Sequence, residues 1–300
     1  EFEMFLFFLL CLTPFSADKV EIIRENGKSI VHLLGNVVIE DENTRITCSE
    51  ASLNQTENYV VLIQDVKIVD ENGEIKSNFA VYYFKEKKGY LRDSVFLITT
   101  DQIISSDSLY YNGIEEMVEM FNNVKIEDRK NNLIGYSNRG WYDLKEDEGH
   151  LVDAPRLEII RENKEPIDVR AREFQLISNS NTFYGFDSVV AIVDSITIYC
   201  DTFSYNLKTE NGTMIKPVIL EKNNELKGET GQFSMRNNGI ESLSVQKGWS
   251  KYYTDEGSKN IVEGDTITII FHDGKASRII VEGEPRGVLS LKRKVEDAGD

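Results

Sequence analysis

The residue types that most often carry catalysis stand alone in this sequence. Its three histidines, His32, His150 and His272, are far apart along the chain, and an isolated histidine is more often a surface or strand-end residue than a general base or metal ligand. No Walker loop and no G-x-G-x-x-G, G-x-S-x-G or H-E-x-x-H motif occurs. The sequence therefore predicts no enzyme, no catalytic residue, no metal site and no cofactor.

The charged residues indicate turns and solubility. Acidic pairs such as Asp41–Glu42 and Asp70–Glu71 fall at predicted hairpin tips, where they favour turn geometry. The basic residues are densest in one group, Lys85, Lys87, Lys88 and Arg92. We interpret this group as a solvated hairpin end, with contact to an anionic headgroup as the alternative. With 51 acidic against 34 basic residues, the net charge of -17 argues against nucleic acid as a partner.

One pattern of apolar and small residues occurs eight times along the sequence, and we call this pattern the frame. Each copy has a first slot, a small residue two later, and apolar slots three and five residues beyond that. In the copy that starts at Ile75 these are Ile75, Ser77, Ala80 and Tyr82. First slots fall at Ile46, Ile75, Ile104, Gly135, Val169, Ile198, Leu226 and Val262; the regular step is 29 residues, and longer steps indicate insertions. Nine residues ahead of a first slot stands a second strand start, as at Val37, Val66, Val95 and Val189.

Alternation that skips one residue is typical of a strand that turns a corner through a bulge. Asn-Gly and Asp-Gly pairs between alternating runs predict hairpins, here Asn72–Gly73, Asn112–Gly113, Asn211–Gly212, Asn238–Gly239 and Asp273–Gly274. Asn36, Asp65, Ser94, Asn123 and Ser188 stand before strand starts, which predicts turns that enter each unit. The fold class expected is all-β: an elongated β-jellyroll or solenoid of about eight bent hairpins.

Domain boundaries follow from this repeat. Residues 1–17, with the apolar run MFLFFLLCL, are typical of a signal peptide, which predicts export. Residues 18–289 form the repeat domain, and residues 290–300 a polar tail. Pro155 and Pro166 mark the most irregular unit. Cys48 and Cys200 fill the same small slot five repeats apart, too far for a disulfide.

The inward slots form rows of apolar side chains, for which two interpretations stay open. If the two sheets meet, the rows are an ordinary core; if the sheets splay, the rows line a long channel.

The ordered series of units resembles a known family. G-N-V-V-I-E-D from Gly35, D-V-K-I-V-D-E-N-G-E-I-K-S from Asp65, N-V-K-I-E-D from Asn123 and G-D-T-I-T-I-I-F-H-D-G-K from Gly264 are similar to OstA/LptA-type (organic solvent tolerance-like) repeats of periplasmic lipopolysaccharide-transport proteins. The resemblance covers about residues 35–289. It implies a β-jellyroll that shelters lipid acyl chains between the inner and outer membranes.

The resemblance assigns lipid-lining roles to the inward slots Val37, Ile39, Ile46, Val66, Ile68, Ile75, Ala80, Tyr82, Val95, Leu97, Ile104, Leu109, Val124 and Ile126. It also implies partners: lipopolysaccharide or a similar lipid, related jellyroll proteins at either membrane, and head-to-tail copies of the chain. Two alternatives remain. One is a parallel β-helix enzyme or adhesin acting on polysaccharide; the other is a structural solenoid without cargo.

Overall fold

A computed structural model of the chain describes residues 14–25, 28–41, 44–70, 73–236, 239–253, 257–272 and 274–290. Most of the predicted signal peptide, with Cys11, and nearly all of the polar tail lie outside these residues, as do Asn72, Asn238 and Asp273 of the predicted turns. By their internal contacts the described residues form two units. Unit 1 runs to Pro155 and includes Gln175–Asn179; unit 2 comprises Arg156–Phe174 and the residues from Ser180 onward.

The strands of unit 1 are mostly long. They are β1 (Phe15–Ser16), β2 (Lys19–Glu25), β3 (Lys28–Asp41), β4 (Thr44–Asn54), β5 (Tyr59–Val69), β6 (Glu74–Tyr83), β7 (Lys88–Ile98), β8 (Gln102–Asn112), β9 (Met117–Asp128), β10 (Leu133–Asp143) and β11 (Glu148–Val152). From β2 to β11 each strand pairs with the next, and β1 pairs with β3.

Several strands of unit 2 are short. They are β12 (Arg156–Ile159), β13 (Ile167–Arg170), β14 (Glu173–Ile177, shared between the units), β15 (Thr182–Val193), β16 (Ile196–Asn206), β17 (Asn211–Ile215), β18 (Val218–Glu221), β19 (Asn224–Lys227), β20 (Thr230–Arg236), β21 (Gly239–Tyr253), β22 (Lys259–His272), β23 (Lys275–Glu282) and β24 (Arg286–Leu289). β16 pairs with both β17 and β18, and β21 pairs with both β19 and β20. Two short strands therefore lie along one long neighbour, in the place that a single long strand occupies in unit 1.

The pairings described above are all antiparallel, in unit 1 and in unit 2. A parallel β-helix requires parallel neighbours. The interpretation as a parallel β-helix enzyme or adhesin is therefore wrong, and the all-β prediction of bent hairpins is confirmed.

The long strands of unit 1 bend at a corner near their middle. The register shifts there, for example between Ile63 and Val66 of β5 opposite Ser77 and Phe79 of β6. Gln64 and Asp65 both have positive φ, 62° and 54°. Positive φ is uncommon outside glycine and is tolerated best by Asn and Asp, which accounts for the polar residues before Val66 and its equivalents.

These corners correct one sequence prediction. Asn36, Asp65, Ser94, Asn123 and Ser188 were expected in turns that enter each unit, but they lie inside continuous strands. The prediction was wrong because both strands of a hairpin bend at the same level, so a polar residue is needed at each corner. Each bent strand therefore has two parts, which we call leg A and leg B. Leg A is the part on the side of the corner that contains Ile39 in β3, Ile46 in β4 or Ile68 in β5. Leg B is the part on the other side of the corner, which contains Leu62 in β5.

Of the predicted Asn-Gly reversals, one is present in the structure and another is not. The reversal at Asn112–Gly113 is confirmed: Asn112 Oδ1 accepts hydrogen bonds from the backbone N–H groups of Ile114 and Glu115 at 3.2 and 3.4 Å. The reversal at Asn211–Gly212 is wrong, because both residues begin β17. Gly212 is required there since a side chain would collide with the ring of Phe233.

Candidate lipid-binding interior

In unit 1, leg A presents one unbroken row of apolar residues to the interior. Cross-strand pairing sets these residues side by side from β3 to β9: Ile39, Ile46, Ile68, Ile75, Leu97, Ile104 and Ile126. Most are buried, while Ile75 and Ile126 are half-buried. All seven are positions that the sequence predicts to line a lipid-binding interior.

A second row in leg A lies directly at the corner and alternates valine with a small residue. It consists of Val37, Cys48, Val66, Ser77, Val95, Ser106, Val124 and Ser137, all buried. The small side chains also form hydrogen bonds. Ser77 Oγ donates to the carbonyl of Phe79 at 3.1 Å, Ser106 to that of Ser108 at 3.0 Å, and Cys48 Sγ to that of Glu50 at 3.1 Å. The small slot therefore satisfies a carbonyl at the bulge as well as fitting the corner.

Leg B supplies the opposite wall, and here sequence reasoning missed most of the residues. Its first row consists of apolar side chains with a small residue at three of the nine strands: Leu33, Ala51, Leu62, Ala80, Leu91, Leu109, Met120, Gly140 and Leu151. Only Ala80 and Leu109 were predicted to line the interior. For Leu62 and Met120 the signal was the same alternation in 59–63 and 117–121, which the sequence predicts only as return legs of the hairpins, with no lining role.

The second row of leg B contains tyrosines on alternate strands. Tyr82, Tyr111 and Tyr142 lie level with one another, separated by the smaller Gly89 and Val118. Burial raises the pKa of Tyr82 to about 12 and raises that of Tyr111. Burial, and then a hydrogen bond to Asp147, raises the pKa of Tyr142 well above its usual range. These phenols lie at the turn end of leg B, where an apolar body meets a polar rim.

The two legs of unit 1 enclose a small apolar cavity. Leg A contributes Ile68 and Ile75, and leg B contributes Leu62, Ala80 and Tyr82, together with neighbouring apolar residues. Its volume is about 30 Å³, which is room for about one water molecule and far below the roughly 300–1,000 Å³ of a small-molecule site. The legs are therefore in contact, and an acyl chain requires them to part.

In unit 2 the equivalent part of leg B is filled by aromatic rings. Phe183 packs 6.0 Å from Phe203, which lies 5.2 Å from Phe233, and Tyr205 stacks on Phe233 at 5.6 Å with 5° between the planes. Phe174 meets Phe183 edge-on at 6.1 Å. Phe174 and Phe183 are both 0% exposed. This cluster is a solid core.

An ion pair between buried Arg161 and exposed Asp194, which sequence reasoning missed, holds the long loop after β12. The side chain of Arg161 is 2% exposed; its Nη2 lies 2.9 Å from Asp194 Oδ1, and its guanidinium also donates to the carbonyl of Glu165. A buried charge with these partners is a structural clamp. Among the described residues no group of His, Cys, Asp or Glu could hold a metal ion.

The histidines and the basic group are placed as follows. His150 stacks on Trp141 at 4.7 Å, and His272 ends β22. Lys85 and Lys87 lie in the turn before β7, Lys88 begins that strand, and the guanidinium of Arg92 lies 4.3 Å above the ring of Phe79. Among the described residues, no helix is long and apolar enough to span a membrane.

The fold and interior together define a class: bent antiparallel hairpins closed around an apolar interior, as in a β-jellyroll. Residues 14–158 match the family described as OstA-like protein. This stretch, which covers nearly all the described residues of unit 1, is OstA-like, and the resemblance seen in the sequence is confirmed over it.

A solved structure, the crystal structure of LptH, the LptA homologous periplasmic component of the conserved lipopolysaccharide transport device from Pseudomonas aeruginosa, is 12% identical with a TM-score of 0.34. The similarity covers 37% of this chain and 82% of that one, and it is too weak to carry over any property. Comparison with curated proteins finds no match.

Proposed function

We propose that this chain is an exported, periplasmic, non-enzymatic carrier that shelters the acyl chains of lipopolysaccharide, or of a similar lipid, between legs A and B of unit 1. The observation that carries the proposal is the pair of facing apolar rows on legs A and B, within the stretch that is OstA-like. Val37, Ile39, Ile46, Val66, Ile68, Ile75, Ala80, Tyr82, Val95, Leu97, Ile104, Leu109, Val124 and Ile126 are the lining residues in this proposal.

The way in which the legs are joined supports opening. In unit 1 the strand pairings join leg A to leg A and leg B to leg B, on either side of each corner. Apolar contacts between facing side chains hold the legs together, and these contacts are non-directional. An inserted acyl chain can replace them without breaking a ladder hydrogen bond, while the corner residues take up the change in angle.

Partners follow from the strand edges. In unit 1, β2 pairs with β3 and exposes Val20, Ile22 and Ile23. A strand edge with free N–H and C=O groups invites another strand, so related jellyroll proteins at the inner and outer membranes, or further copies of this chain joined head to tail, are the partners proposed. Sedimentation over a range of concentrations tests the homo-oligomer, which should grow with concentration.

The carrier is tested by photo-crosslinking with purified lipopolysaccharide. A photoreactive residue at Ile75, Tyr82 or Ile104 should capture acyl chains, whereas one at Lys67 or Lys125, on the outward side of leg A by strand alternation, should not. Adducts at inward and outward sites alike would indicate surface association only. No adduct at any site would favour the alternative of a repeat with a solid core and no cargo, which the small volume of the cavity in this structure favours.

A further inference from the structure

On β15, β16, β17, β20, β21 and β22 the outward side of leg B in unit 2 is an uncharged polar surface. Its central row runs across six strands and consists of Tyr184, Ser204, Thr213, Gln232, Ser244 and Thr268. The two flanking rows, two residues to either side on each of these strands, contain Thr, Ser, Asn, Gln and Ile with one Phe. None of these residues is charged, in a chain of which 28% of residues are charged. We call this surface the hydroxyl face.

The hydroxyl groups on this face are held in pairs. Ser204 Oγ and Thr213 Oγ1 are 2.7 Å apart, and Ser244 Oγ and Thr268 Oγ1 are 3.1 Å apart. Each pair uses one hydrogen, which leaves the second hydroxyl hydrogen and several lone pairs for another molecule. Cross-strand pairs of this kind also stabilise a sheet, but sheet stability does not require the exclusion of charge.

Leg A of the same unit shows what an ordinary outward side looks like here. Glu225 is paired with Lys251 at 3.1 Å and also contacts Lys227. At the border of the hydroxyl face Lys216 is paired with Asp201 at 2.6 Å and Lys247 with Glu229 at 2.7 Å. On the neighbouring β23, Arg278 lies beside Ile270 and Glu282 beside Thr266, so the charges that border the face are of both signs.

We propose that the hydroxyl face binds an uncharged glycan chain. A polyhydroxylated ligand both donates and accepts hydrogen bonds, as the Ser, Thr and Gln side chains do. The central row repeats about every 4.8 Å across the strands, which suits the spacing of sugar units in an extended β-1,4-linked chain. At one end Tyr184 and Phe186 lie 6.3 Å apart with 13° between their ring planes, and such rings stack on the apolar faces of sugars.

The composition of the face argues against other occupants. Protein interfaces have cores enriched in aromatic and apolar residues, whereas Ser204, Thr213, Gln232 and Ser244 occupy the centre here. A negatively charged ligand is disfavoured by the net charge of -17. This site lies in a different unit from the proposed lipid interior and takes a different class of ligand, so the two proposals stand or fall separately.

Titration of the full chain with cellohexaose and chitohexaose, followed by NMR or calorimetry, tests the proposal. The expected result is saturable binding to at least one of these neutral oligosaccharides, weakened at least tenfold in the double variant Thr213→Ala, Gln232→Ala. Thr213→Ser, which keeps the hydroxyl group, should retain binding. Ser52→Ala, on the outward side of leg B in unit 1, is the matched control and should bind as the unsubstituted chain does.

Each other outcome overturns the proposal. Failure of both oligosaccharides to bind, or equal binding by the double variant while it remains folded in thermal melts, excludes a glycan site on this face. Self-association of the chain that Thr213→Lys abolishes would show that a second copy covers the face instead.

Discussion

Unit 1 and unit 2 fill the same repeat slot with tyrosine, in very different surroundings. Tyr82 in unit 1 has glycine and valine as its cross-strand neighbours, Gly89 and Val60, and borders the apolar cavity. Tyr205 in unit 2 stacks on Phe233 and is 4% exposed. One backbone plan therefore supports an interior with a small cavity and an interior filled by aromatic rings, and the residues on neighbouring strands decide which.

The outward sides of leg B differ as well. In unit 1 this side carries aromatic residues, such as Tyr59 beside Tyr83, and charged residues, such as Arg139 beside the ring of Phe121. In unit 2 it carries the hydroxyl face. The strands differ too: unit 1 keeps continuous strands through its corners, whereas β17 and β18 are separated by Lys216 and Pro217, and proline cannot donate to a ladder.

The largest expected difference between the units is in the cost of truncating an inward side chain. Phe183→Ala in unit 2 should lower the free energy of unfolding by about 3–5 kcal/mol, because the ring is fully buried and contacts other rings. Leu62→Ala in unit 1, beside the cavity, should cost about 2–3 kcal/mol, since its neighbours can relax. Denaturant unfolding measures both, and a larger loss for Leu62→Ala would contradict the contrast between a full and an adaptable interior.

A smaller effect is expected at the corner slot. Ser77→Leu should cost about 1–3 kcal/mol because it overpacks a buried corner and removes the hydrogen bond to the carbonyl of Phe79. Ser77→Cys should cost less, since Cys48 fills the equivalent slot and donates to Glu50 in the same way. Lys67→Ala, on the outward side, is the control. Equal denaturant midpoints for Ser77→Leu and Lys67→Ala would rule out the tight corner.

The smallest effect concerns the two cysteines that share this slot. Burial raises the pKa of Cys48 to about 11 and that of Cys200 to about 12, so both thiols stay protonated at neutral pH. The folded pKa of each thiol lies above its unfolded pKa, so the folded protein favours the protonated thiol. The stability that each protonated thiol contributes is complete below the unfolded pKa and is lost as pH rises towards 11 for Cys48 and 12 for Cys200.

Thiol labelling at pH 8 to 10 tests this burial. In the folded protein Cys48 and Cys200 should both label far more slowly than in denaturant, because burial covers each thiol and keeps it protonated. A disulfide, or labelling of either thiol in the folded protein as fast as in denaturant, would contradict the assignment of both residues to buried small slots.

The repeat frame allowed much of unit 1 to be predicted from sequence. Ile46, Ile75 and Ile104 were predicted to line the interior because leg A alternates without a break. Leu62 and Leu91 were missed since a strand that continues through a corner cannot be told from two strands joined by a turn. The hydroxyl face was missed because it depends on the register of several strands, which no single segment of sequence reveals.

A photoreactive phenylalanine analogue at Tyr82 or at Tyr205 tests the central claim most directly, because both positions are the same repeat slot and the analogue is close to tyrosine in shape. With purified lipopolysaccharide and ultraviolet light, the account predicts an acyl-chain adduct at position 82 in unit 1 and none at position 205 in unit 2. Equal capture at both positions, or capture at 205 alone, would contradict the assignment of the lipid-binding interior to unit 1.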